Sequence, residues 1–132
     1  MTADEAIKAH REWKNRFLVA MAEQRQMNEA EISADCYCNF GQWLHGEAKQ
    51  SFGHLTSYGQ CVDTHAEFHR EAGKVAGQVN TGDIRAANEM LGYSTPYSKI
   101  SETLTIRVIA MFKEGTAEGA AEGAAESPAE GS

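Results

Sequence analysis

The sequence predicts an all-α protein, an antiparallel four-helix bundle with a disordered C-terminal tail. Three observations carry that expectation. Apolar residues recur at steps of three and four over four stretches of chain. Only two prolines occur, Pro96 and Pro128, which leaves room for long uninterrupted helices. From Gly115 onward there is no aromatic or large aliphatic residue at all.

The first helix is expected from Asp4 to about Met27. Ile7, His10, Trp13 or Lys14, Phe17, Ala20 or Met21 and Gln24 fall at helical spacing, with Lys8, Glu12, Arg16 and Glu23 off that stripe. Thr2 or Asp4 can cap it, and Thr2 with Glu5 has the T-x-x-E form of a capping box. A shorter second helix is expected over roughly Glu31 to Leu44, with Phe40, Trp43 and Leu44 as its bulky residues. Gly41 in its middle costs about 1 kcal/mol relative to Ala, so close approach of another backbone is expected there. The stretch from His45 to His54 contains Gly46 and Gly53 and reads as a loop.

The third helix has the clearest periodicity: Leu55, Tyr58, Val62, His65, His69, Ala72, Ala76 and Val79. Asn80-Thr81-Gly82 is its stop signal. The fourth region starts at Asp83 and carries Ile84, Ala87 and Leu91. After Gly92 and Pro96 it resumes with Ile100, Leu104, Val108 and Met111 or Phe112. Pro96 either kinks one long helix or opens its second half behind a Ser94 or Thr95 cap, and the kinked continuous helix is the favoured expectation. Residues 1–114 thus form the bundle. Residues 115–132, repeating Ala-Glu-Gly-Ala units, cannot bury enough apolar surface to offset their ordering entropy.

At 132 residues, with 42% hydrophobic and 23% charged residues, the chain is one ordinary globular domain. The formal charge is −7, but Glu118, Glu122, Glu126 and Glu130 all lie in the tail, and without them the remainder carries −3. Nucleic acid and anionic membrane surfaces want a basic patch, so neither is an expected partner. No apolar run approaches the roughly 20 residues of a membrane span. The N-terminus lacks the basic and apolar regions of a secretory signal, which points to the cytoplasm. Three cysteines, Cys36, Cys38 and Cys61, make metal binding or thiol chemistry a better expectation than a disulfide framework.

The chemistry gathers on the core-facing stripes. His65 and His69 are one helical turn apart on one face, where both imidazoles can reach one metal. Taken alone, such a pair also arises by chance. Cys38, in Cys38-Asn39-Phe40-Gly41-Gln42-Trp43, adds a thiol that Gly41 would allow to approach closely; otherwise it is a buried thiol acting as a small hydrophobe. His10, beside Trp13, is either a third imidazole donor or a satisfied core histidine. Together the four supply three nitrogens and one thiolate, the tetrahedral set that zinc prefers in closed sites.

His10-x-x-Trp13, Cys38-x-Phe40-Gly41-x-Trp43 and His65-x-x-x-His69, in this order and at these separations, resemble the chemoreceptor zinc-binding domain over about residues 5 to 112. The resemblance implies a helical bundle that holds zinc through His10, Cys38, His65 and His69. It also implies a homodimer, attached to chemoreceptors or to enzymes such as diguanylate cyclases, sensing zinc or oxidants such as hypochlorous acid in the bacterial cytoplasm. The chain itself carries neither receptor signalling helices nor a cyclase domain, so it reads either as a free-standing member, the favoured expectation, or as a piece of something larger, and its output is open.

The remaining candidates have plainer readings. On a helix Cys36 would point about 200° away from Cys38, so it is not expected on the same ion. Cys61 is expected in the core, His45 and His54 on the surface, and Met21, Met27, Met90 and Met111 as core filler. Asp63 and Glu67 flank the histidines as carboxylate acceptors for a metal-bound imidazole, or else belong to a solvated face. The leading function is a zinc-dependent sensory module in which Cys38 is the reactive point. A structural zinc in an adaptor protein uses the same ligands and remains the alternative. A zinc hydrolase is disfavoured, because four protein ligands leave no position for water. A di-iron site lacks its Glu-x-x-His pairs.

Overall fold

The computed structural model describes residues 1–126, with side chains through Ala117. Among the described residues there are seven helices and no strand: α1 (Ala3–Glu23), α2 (Glu29–Ser33), α3 (Asn39–His45), α4 (Glu47–Phe52), α5 (Thr56–Asn80), α6 (Ile84–Met90) and α7 (Pro96–Glu126). The all-α class is as expected, and none of these helices is long and apolar enough to cross a membrane.

Three long helices carry the core, and the contacts fix their directions. His10 meets His65, Trp13 meets His69 and Met27 meets Asn80, so α1 and α5 run the same way. Ser57 meets Glu114, Gln60 meets Arg107 and Phe68 meets Tyr97, so α7 runs back along α5. The α2–α3 segment also runs against α5, from Glu29 beside Gly77 to Leu44 beside Tyr58. The core between them is built from Phe17, Phe40, Leu44, Phe68, Val75, Leu104, Val108 and Met111, all buried.

Capping decides where the elements begin. The Thr2 hydroxyl accepts from Glu5 N–H at 3.1 Å, as the capping box predicts. Helix α1 ends earlier than expected, because Gln24 adopts φ 54°, a left-handed stop. The expected second helix is broken: α2 ends at Ser33, Ala34 is extended, and Cys38 is not inside a helix but caps α3. The expected loop from His45 to His54 contains the short helix α4, whose Ala48 is buried. The favoured kinked helix across Pro96 is also corrected. Helix α6 stops at Met90, Ser94 turns the chain at φ 62°, and Pro96 opens α7 behind a Thr95 hydroxyl that accepts from Ser98 N–H. Proline has no N–H to lose at that first-turn position, which is the physical reason it sits there.

The C-terminal tail was expected from residue 115. Helix α7 continues to Glu126, and a Cβ on Gly115 would overlap the ring of Phe52, so position 115 is a packed one. Residues 127–132 lie outside the described residues.

Candidate metal centre

His10, His65, His69 and Cys38 come from three directions onto one point. His10 projects from the buried stripe of α1 at 5% exposure. His65 and His69 project from consecutive turns of α5 and are 0% and 1% exposed. Cys38 comes from the turn before α3, and two glycine positions let that segment in. A Cβ on Gly41 would overlap the Asp35 carbonyl oxygen and stand 3.2 Å from His65 Cε1. On α5 a Cβ on Gly73 would overlap Ser33, so its absence lets α2 lie directly on the α5 backbone. The close approach expected at Gly41 is therefore present, although α3 is only seven residues long.

The four donor atoms all lie within 4.8 Å of one another. His65 Nε2 is 3.1 Å from His10 Nε2 and 3.1 Å from His69 Nε2. Cys38 Sγ is 3.4 Å from the Nε2 atoms of both His65 and His69. A tetrahedral zinc with its usual bond lengths would set nitrogens about 3.3 Å apart and sulfur about 3.6 Å from nitrogen. The other ring nitrogens settle which lone pairs converge. His10 Nδ1 stands 2.7 Å from the Ala6 carbonyl and His69 Nδ1 2.9 Å from the Ile32 carbonyl. A carbonyl only accepts, so both Nδ1 atoms carry the proton and both Nε2 atoms present bare lone pairs. A cation at the centre would take these two lone pairs together with those of His65 Nε2 and the Cys38 sulfur. The donor set fits zinc.

The electrostatics point the same way. Burial lowers the pKa of His10 to about 4, against an upward pull from the Ala6 carbonyl. Burial lowers His65 furthest, helped by the neighbouring His10 and His69, and lowers His69 in spite of the Ile32 carbonyl and Asp35. All three imidazoles are thus neutral at neutral pH, the form a metal ion requires. Burial pushes the Cys38 thiol up, partly countered by the Gly41 N–H that reaches Sγ at 3.2 Å. Without a cation Cys38 is a thiol. Burial raises Cys61 to about 12 and keeps it in the core, whereas Cys36 is exposed. A disulfide among the three is not formed.

Aromatic side chains form the walls. Phe40 and Phe68 stand edge-on to His10 at 5.2 Å each, and Trp13 covers His69 at 6.1 Å. Arg16 lies over the outer face of Trp13 at 4.6 Å. A cleft of about 470 Å³ between α1 and the Tyr37–Phe40 segment reaches His10, Cys38 and His69.

Asp63 and Glu67 do not reach the imidazoles; both are exposed, on the solvated face of α5. His45 and His54 are exposed as expected. The residue that sequence reasoning missed is Asp35. Its Oδ2 takes His45 Nε2 at 2.9 Å and lies 4.0 Å from His65 Nδ1, which is buried with no hydrogen-bond partner. The available signal is an acidic residue three positions before the motif cysteine, hidden because that stretch reads as helix in the sequence.

A family model described as the chemoreceptor zinc-binding domain matches residues 10–76, half of the 132-residue chain. The matched range is narrower than the 5 to 112 expected, but it contains all four donors. No curated protein and no solved structure gives a match.

Proposed function

Because the chain belongs to the chemoreceptor zinc-binding domain family, we propose that it is a regulatory module whose zinc site reports oxidation of Cys38 or a fall in available zinc. Zinc would be held by His10, Cys38, His65 and His69, and when bound it keeps the Cys38 sulfur as a thiolate.

One observation carries the reading. Cys38 is the only donor outside the long helices and the only one that is half-buried rather than buried, and the same sulfur caps α3. A seven-residue helix is too short to persist by itself. A sulfur that both caps the helix and binds the ion links local order to the state of one atom. With hypochlorous acid the oxygen passes to Sγ, chloride leaves, and the thiolate becomes a sulfenic acid. That sulfur is a poor metal donor and a poor acceptor for Gly41 N–H. Three imidazoles remain, and α3 loses its cap.

The reading is non-catalytic, since four protein donors complete the tetrahedron and leave no place for water. The three unpaired thiols favour a reducing compartment, so we place the protein in the bacterial cytoplasm. Self-association, or docking to a chemoreceptor or cyclase in chemotaxis or cyclic-di-GMP signalling, is supported by exposed Leu18 and Val19 on α1 and Ile106 and Ile109 on α7. The test is to treat zinc-loaded protein with sub-stoichiometric hypochlorous acid, follow zinc release with a chromogenic chelator and map the oxidised residue. Oxidation of Cys38 together with zinc release is expected. Oxidation of Cys36 or Cys61 first, with zinc retained, would make the ion a structural staple in an adaptor protein.

A further inference from the structure

Each imidazole of the centre needs an acceptor for its Nδ1–H, so that Nε2 keeps its lone pair for the ion. His10 has the Ala6 carbonyl and His69 the Ile32 carbonyl. His65 has none: its Nδ1 is fully buried and unpartnered. An Asp35 carboxylate oxygen stands 4.0 Å away, and both carboxylates of α5 near this histidine, Asp63 and Glu67, face solvent.

Asp35 is itself tied at several points. Its Oδ2 takes His45 Nε2 at 2.9 Å, and His45 is the last residue of α3. Its backbone carbonyl lies 4.0 Å from Cys38 Sγ and against Gly41 Cα. One residue therefore grips both ends of α3, the thiol end through its backbone and the histidine end through its side chain.

We propose that Asp35 is the positioning residue of the metal centre: it accepts the His65 Nδ1–H when the ion is bound, and surface-exposed His45 holds it in place. The inference rests on the zinc reading above. It adds a connection from the surface to the ion, running from His45 through Asp35 to His65. Closing the 4.0 Å gap fixes the His65 ring and raises the basicity of its Nε2. A carboxylate does this better than a carbonyl, because the bond is charge-assisted. The one imidazole without a carbonyl partner is thus the one that a carboxylate faces.

The experiment uses the full chain and zinc alone. Zinc retention against a competing chelator is compared for wild type, Asp35→Asn, Asp35→Ala, His45→Ala and the double variant Asp35→Ala with His45→Ala. The Nδ1–H resonance of His65 is followed by NMR in each zinc-loaded protein. Asp35→Ala should weaken zinc retention about 10- to 100-fold, with Asp35→Asn, which keeps shape and one acceptor, in between. The downfield His65 resonance should move upfield or exchange away in Asp35→Ala while those of His10 and His69 stay. His45→Ala should give a smaller loss, and should add nothing in the Asp35→Ala background. Unchanged retention in both Asp35 variants, or an unmoved His65 resonance, would overturn the proposal. Additive losses would remove His45 from it. Wild-type protein that fails to retain zinc would overturn the metal reading itself, whereas normal wild-type retention with indifferent Asp35 variants would overturn only this inference.

Discussion

At the scale of single residues, the sulfur of Cys38 has two obligations, one to the imidazoles and one to the Gly41 N–H. Replacing it by Ala removes the thiolate and the cap together. Cys38→Ala is therefore expected to lose most of the zinc that wild type carries at one per chain, and His69→Ala the same; elemental analysis checks both. Full zinc in the Cys38→Ala protein would refute the ligand assignment. Gly41→Ala is a separate matter, since it leaves all four donors in place. Its Cβ would overlap the Asp35 backbone oxygen, and backbone cannot step aside as a flexible side chain can. We expect a loss of about 1–3 kcal/mol in urea unfolding, together with weakened zinc retention. A variant as stable as wild type would show that the Asp35–Cys38 segment relaxes freely.

At the scale of elements, the long helices were legible and the short ones were not. The stripes of α1 and α5 are many turns long, so their period stands out over local noise, and the donors on them were readable for the same reason. From Ala34 to Phe52 the order comes from single contacts rather than from a repeating stripe: Tyr58 Oη donating to the Leu44 carbonyl, His45 on Asp35, and the Cys38 cap. No periodic pattern announces them, so nothing in the sequence singles out Asp35 and the α4 stretch reads as loop. Gly73 and Gly77 carry a similar message, written in the shape of α2 rather than in their own neighbours. Another element joint is testable. Asn80, at the end of α5, takes Met27 N–H at 2.7 Å and donates to the Met27 carbonyl at 2.9 Å, fastening the α1–α2 connection. Asn80→Ala leaves that N–H and carbonyl unpaired and should cost about 1–3 kcal/mol. A fall in the urea midpoint with the slope unchanged is the expected signature, and zinc content should stay at one per chain. Loss of zinc would mean that the α1–α2 joint also sets the site.

For the whole molecule, the ion should bind only the folded chain and so raise its stability, by about 2.7 kcal/mol at a hundredfold excess over Kd. Thermal scans with and without a chelator test this, and coincident midpoints would contradict it. Truncation after Ala117 should leave zinc content and the thermal midpoint unchanged, because the chain up to Gly115 keeps its contact with Phe52; a clear drop would show that the later residues pack. The half-exposed thiol also fixes how the chain is tied as a polymer. His10, Cys38 and His65 are separated by 28 and 27 residues, so an ion joining them closes two loops of nearly equal length with Cys38 as their common knot. In the chain-entropy picture of a cross-link, each such loop removes about 3–4 kcal/mol of disorder from the unfolded chain. Release of that one knot merges both into a single 55-residue loop between His10 and His65. Because closure entropy grows only with the logarithm of length, the merged loop retains about 4 kcal/mol where the pair held about 7. One oxidised sulfur thus leaves a chain still tethered, but untied along the stretch between His10 and His65.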